Sequence, residues 1–133
     1  MSQTKIRAAL ESALASIKPA IDTAYQNIAY KPGTDKEYQA AYFLPAPPDN
    51  RSMGDGSRQE RGIFQVNLMY PKGKGTAAAG ARAELIQSLF RRGASFAKDD
   101  IIVQIERTPE ISDGREDEDR WFVPVKIRWF CNL

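Results

Sequence analysis

The sequence predicts an α+β fold: an antiparallel or mixed β-sheet with two α-helices packed on one face. Three observations lead there. From Arg61 to Tyr70 the chain alternates, with Phe64, Val66, Leu68 and Tyr70 on one side and Gln65, Asn67 and Met69 on the other, the period of a strand with one buried face. Ala79, Ala83, Ile86 and Phe90 then recur at helical spacing, with Leu85 and Leu89 widening the stripe. The segments as a whole run helix, strand pair, helix, strand pair. At 133 residues, 42% hydrophobic and 27% charged, the chain can bury a core without disulfides or metals, and one domain over 1–133 is expected.

Each element has a local reason. Ser2 or Thr4 can cap a first helix whose apolar face is Ile6, Leu10, Leu14, Ile17 and Ile21; Pro19 ends it near Ile17. Ala20 to Ala24 is expected to add a turn, and Ile28-Ala29-Tyr30 a strand fragment, before the loop Lys31-Pro32-Gly33-Thr34-Asp35. Tyr38 to Leu44 alternates as a strand, with Tyr38, Ala40, Tyr42 and Leu44 on one side. A long polar inter-strand loop over 46–61, rich in Gly, Ser, Asp and Arg, is expected to be mobile. Pro71, Gly73 and Gly75 stop the next strand, and Thr76 is placed to cap the second helix. Arg91 and Arg92 suit its negative end, and Gly93 a left-handed residue beyond it. Ile101 to Ile105 is β-prone, Asp113-Gly114 begins an acidic hairpin loop over 112–120, and Trp121 to Phe130 is the last strand. Pro124 cannot donate to a ladder, so it must face an open edge or a bulge.

Composition removes several function classes. There is no histidine, which eliminates histidine-dependent triads, metal sites and general bases. The single cysteine, Cys131, cannot form an internal disulfide and reads as a small buried residue in a reducing compartment. A net charge of +2 gives no global field for nucleic acid. No run of roughly 18 apolar residues is present to span a membrane. Glu11 interrupts the apolar N-terminal stretch, so no signal peptide is expected there.

The motifs that resemble chemical sites fail on spacing. Gly73-Lys74-Gly75-Thr76 precedes a helix, but a phosphate-binding loop needs an upstream glycine and Gly-Lys-Ser/Thr in sequence. No βαβ unit surrounds it, so a dinucleotide fingerprint also fails. Glu116-Asp117-Glu118-Asp119 lacks the alternating ligands of a calcium loop. It reads as a solvated hairpin tip or as a docking patch for a basic partner. Arg51, Arg58 and Arg61 can contact phosphates or an acidic protein surface, although a solvated polar loop is the simpler reading. Trp121, Phe122, Trp129 and Phe130 fit core packing better than base stacking, because basic residues are not interleaved with them. The candidate contact residues are Arg51, Arg58, Arg61, Lys72, Lys74, Glu116, Asp117, Glu118 and Asp119. Two readings of these charges stand side by side: complementary docking patches on separate loops, and solvated loop tips.

Several segments together resemble the tail-terminator family of long-tailed phages. They are the helix Ile6 to Ile17, Ile28-Ala29-Tyr30 before a Pro-Gly loop, Tyr42-Phe43-Leu44-Pro45-Ala46, the strand Arg61 to Tyr70 running into Pro71-Lys72-Gly73-Lys74-Gly75-Thr76, and Trp121 to Ile127. The most specific element is Arg-Gly-x-Phe-Gln-Val leading to Tyr-Pro-x-Gly-x-Gly. The resemblance implies a non-enzymatic structural protein that needs no cofactor. It implies a ring, six-membered in the lambda-type relatives, that caps the tail tube, stops its growth and offers the head-joining surface. The implied partners are other copies of the chain, the tail-tube protein and a head-completion or connector protein, with no membrane and no specific nucleic acid. The implied locations are the bacterial host cytoplasm during assembly and then the virion tail. The alternatives are another neck or head–tail joining protein and a small nucleotide- or nucleic-acid-binding module using Lys72, Lys74 and the loop arginines.

Overall fold

The computed structural model describes residues 2–33, 36–49 and 58–133. Its elements are α1 (Ser2–Ala15), β1 (Asp22–Tyr25), β2 (Tyr38–Pro45), β3 (Gln59–Pro71), α2 (Ala77–Leu89), β4 (Ser95–Lys98), β5 (Ile101–Ile105), β6 (Glu110–Ile111), β7 (Arg115–Asp117) and β8 (Arg120–Asn132). They form the α+β arrangement expected: one mixed sheet in the order β1-β2-β3-β8-β5-β4, with β6 and β7 also paired to β8. β1 runs parallel to β2 and the other pairs are antiparallel.

The long pair β3–β8 sets the register. Phe64 lies opposite Ile127, Val66 opposite Val125 and Leu68 opposite Val123. Val66 in turn faces Ala41 of β2, and Phe64 faces Phe43. These residues share one face of the sheet, since side chains alternate along each strand. On that face they join Ile6, Leu10, Leu14 and Ile17 of the first helical segment and Ala79, Ala83, Ile86 and Phe90 of the second in a single buried cluster. Aromatic rings fill its centre: Phe43 stacks on Trp129 at 5.2 Å, and Phe90 lies 6.1 Å from Phe64 and 5.2 Å from Phe96. Gly62 leaves room for this packing. A Cβ there would sit 2.5 Å from the Leu44 carbonyl oxygen and 2.9 Å from the Trp129 ring.

Local expectations are corrected at several points. Asp22–Tyr25 is a strand where a helical turn was expected from Ala20 to Ala24. The open edge of β2 captures it, and Gln39 Nε2 donates to Thr23 Oγ1 at 3.0 Å. Ile28-Ala29-Tyr30 is not a strand; Ile28 is exposed in the turn after β1. Tyr42 and Leu44 point away from the helices, and the core face of β2 is Gln39, Ala41 and Phe43. Thr76 precedes α2 but makes no side-chain cap, because its backbone already lies in the helical region at φ −110° and ψ −8°. Leu85 is exposed, so the stripe of α2 is narrower than expected. Arg91 and Arg92 lie beyond the last turn, and Gly93 has the expected positive φ of 86°.

The polar loop of 46–61 is shorter than expected, because β3 already begins at Gln59. Ala46 N donates to the Arg61 carbonyl at 2.8 Å, and Asp49 and Gln59 exchange two backbone bonds. The rest of that loop, with Arg51 and the mobility expected of it, lies outside the described residues. Pro124 falls at a break in pairing. Its carbonyl accepts from Ser112 N, so its missing N–H faces the gap between β6 and β7. No helix among the described residues is long and apolar enough to cross a membrane.

Phe90 is fully buried between β3 and Phe96. Phe90→Ala should therefore cost about 3–5 kcal/mol. Urea unfolding measures this loss, and a change below about 1 kcal/mol would show that the ring does not anchor α2.

Candidate interaction surface

The Gly-rich turn after β3 and the acidic hairpin β7–β8 come together at one end of the sheet. Pro71 is registered with Arg120 and Asp117 with Arg120, so both turns flank the start of β8. Gly73 and Gly75 take φ values of 86° and 80°, which lets the chain reverse tightly before α2. The acidic expectation over 112–120 resolves into β7, the turn residues Glu118 and Asp119, and Arg120. Glu118 adopts φ 56°, the left-handed region that short hairpin turns require.

This geometry joins one residue of the basic turn to one of the acidic hairpin. Lys72 Nζ lies 3.3 Å from Glu116 Oε2, and Lys72 N donates to the Asp119 carbonyl at 3.2 Å. The basic turn and the acidic hairpin thus pair within one subunit. Both side chains are well exposed, so the pair contributes little to stability. Lys74 is exposed beside Glu37, Tyr70 and Ala78, and Asp117, Glu118 and Asp119 are exposed with no ion pair among the described residues. Arg120 is buried and ties this corner together. Its guanidinium donates to the Lys36 and Gly33 carbonyls, the latter at 2.8 Å, and lies over the Tyr38 ring at 5.1 Å.

The loop arginines sit near the opposite end of β3. Arg58 Nε donates to Glu60 Oε1 at 3.2 Å, and Arg61 Nη2 to Glu106 Oε1 at 3.4 Å. Each has a carboxylate of its own chain, which weakens the reading of both as phosphate ligands. Arg61 also belongs to β3 rather than to a loop, and with Leu44, Ile63, Glu106 and Arg128 it lines a shallow cleft on the sheet face away from the helices.

Five buried polar residues were missed in the sequence: Gln39, Gln59, Glu60, Arg82 and Arg120. Arg82 carried a signal. It stands three residues after Ala79 and four before Ile86, inside the apolar stripe, where an arginine is unusual. Burial lowers its pKa, with Tyr70 acting in the opposite direction. Asp22 is held below the usual carboxylate range by hydrogen bonds from Lys36 and Tyr30.

Among the described residues, no group of three or more cysteine, aspartate or glutamate side chains is placed to hold a metal ion. The geometry defines a sheet covered by helices on one face, whose second face and ends carry paired charges and exposed apolar residues. The comparisons carry this to a family. The family model described as "Phage tail terminator protein" matches residues 5–129, and the chain belongs to that family of structural, non-enzymatic tail proteins. A solved protein with no function in its description matches at a TM-score of 0.83 and 28% identity, over 100% of this chain and 97% of that one. No curated protein matches.

Cys131, opposite Glu60 near the end of β8, is fully buried in the core, and burial pushes its thiol pKa up. The native protein should therefore react with a disulfide reagent far more slowly than the urea-unfolded chain. Equal rates in the two states would contradict the placement of Cys131 in the core.

Proposed function

We infer that this phage tail structural protein assembles into a ring, six-membered as in its lambda-type relatives, that caps the tail tube, ends its growth and presents the surface that joins the head. The observation that carries this reading is the family match over residues 5–129. The fold supports it in three ways. The helices cover one face of the sheet, leaving Tyr42, Leu44 and Ile102 exposed on the other. The outer strands β1 and β4 each have one unpaired edge among the described residues. The exposed ion pairs at both ends of β3, Lys72 with Glu116 and Arg61 with Glu106, suit surfaces that orient contacts. A ring needs head-to-tail contacts in which two different patches of each subunit meet, and a six-stranded path with unlike ends offers such patches. The partners on this reading are other copies of the chain, the tail-tube protein and the head-completion protein.

The test is to polymerise the purified tail-tube protein with and without this protein and measure tube lengths by electron microscopy. Added protein should shorten the tubes and leave ring-shaped density at one end. Unchanged lengths with bare ends would overturn the reading.

A further inference from the structure

Arg82 is only 4% exposed, and no carboxylate lies within ion-pair distance of it among the described residues. Its Nη1 donates to the Pro19 carbonyl, and its Nε has no partner. The other buried arginine, Arg120, is satisfied by two carbonyls and an aromatic ring. Gln39 is 1% exposed; its Nε2 donates to Thr23 Oγ1, and its Oε1 has no partner. Both residues line one cavity of about 280 Å³, walled by Leu14, Ala20 and Ile21 and open to solvent beneath β1. A buried polar atom without a partner is unfavourable, and a buried cation without a counter-charge more so. Water can satisfy the hydrogen bonds but brings no charge. A carboxylate supplies both. The Gln39 amide, turned over, offers its N–H to such a guest and accepts from the Thr23 hydroxyl, which gives up its 3.3 Å bond to the Ile21 carbonyl.

The sheet also places a source of carboxylates. At this end β8 is flanked by β7 rather than β5, so the order across is β1-β2-β3-β8-β7. The cavity under β1 opens on the helix face, whereas Asp117, Glu118 and Asp119 of the β7–β8 turn line a cleft with Gly33, Tyr38 and Met69 on the opposite face at the same end of the sheet. Asp117, Glu118 and Asp119 are exposed there, with no ion pair among the described residues, whereas Glu116 is held by Lys72. A head-to-tail contact repeated around an axis brings one patch of each copy against a different patch of the next.

We propose that the cavity beneath β1 is a carboxylate pocket anchored by Arg82, filled in the assembled ring by an acidic side chain from the Asp117–Asp119 turn of a neighbouring copy. The neighbour as source rests on the ring reading; the chemistry of the pocket does not. Two measurements separate them. In the first, sodium acetate is titrated into the ¹⁵N-labelled full chain while the Arg82 Nε–H resonance is followed, with acetamide as the neutral control at matched ionic strength. A saturable shift with acetate alone is expected. No saturation, or the same response to acetamide, overturns the pocket and leaves water as its occupant.

In the second, sedimentation measures self-association of the wild type, Arg82→Met, the triple variant Asp117→Asn, Glu118→Gln, Asp119→Asn, and their combination. Each change should weaken association tenfold or more, and the combination no more than the stronger of the two. The triple variant alters only exposed side chains and so keeps the fold if Arg82→Met does not. Losses that multiply, or a triple variant that associates normally, overturn the neighbour's turn as the guest. A wild type that never associates, alone or on tail tubes, overturns the ring reading and with it the neighbour, while the acetate result still decides the pocket.

Discussion

The pairing of β3 with β8 is the constraint on which the rest of the structure depends. It runs without interruption from Gln59 opposite Asn132 to Pro71 opposite Arg120. That register puts Phe64, Val66 and Leu68 on the same face as Val123, Val125, Ile127 and Trp129, and all seven are buried. A slip of one residue would turn either set to the opposite face, so the hydrophobic pattern holds the alignment firmly. Both helices then pack on that face and the remaining strands attach along the outer edges of the pair. β2 takes the free edge of β3, and β7, β6 and β5 share the free edge of β8 in turn.

The same pairing decides how charge is distributed. Because β3 and β8 end together, the turn after β3 and the turn before β8 must be neighbours, and Lys72 meets Glu116 inside the subunit. At the other end, Arg58 meets Glu60 and Arg61 meets Glu106. Exposed pairs of this kind steer and orient contacts more than they strengthen them. Arg82 differs from these residues, since its charge is buried and has no carboxylate within ion-pair distance among the described residues. This separates exposed charges paired within the chain from a buried cation with no carboxylate beside it among the described residues.

Much of the fold was legible because strong patterns coincide with long elements. The alternation of Phe64, Val66 and Leu68 and the spacing of Ile6, Leu10 and Leu14 each repeat often enough to identify a period. β1, β4, β6 and β7 have two to four residues apiece, too few to show one; they are strands because an existing edge pairs with them. In β2 the alternation was visible but its inner face was not, since both sides carry apolar residues: Tyr42 and Leu44 on one, Ala41 and Phe43 on the other. Only the register with Phe64 and Val66 decides between them. The meeting of Lys72 with Glu116 is likewise a consequence of long-range pairing and leaves no local trace. Arg82 did leave one, as a charge inside an apolar stripe, but its meaning depends on the cavity that β1 and Gln39 complete.

Native-state hydrogen exchange tests the central role of the β3–β8 pair most directly. The slowest amides should be those of Phe64 to Leu68 and Val125 to Ile127 that donate within the ladder, exchanging only through global unfolding, while β1, β4 and β7 exchange by local opening at much lower free energy. Protection of β1 or β4 equal to that of β3, or local opening of β8 while the edge strands stay closed, would contradict it.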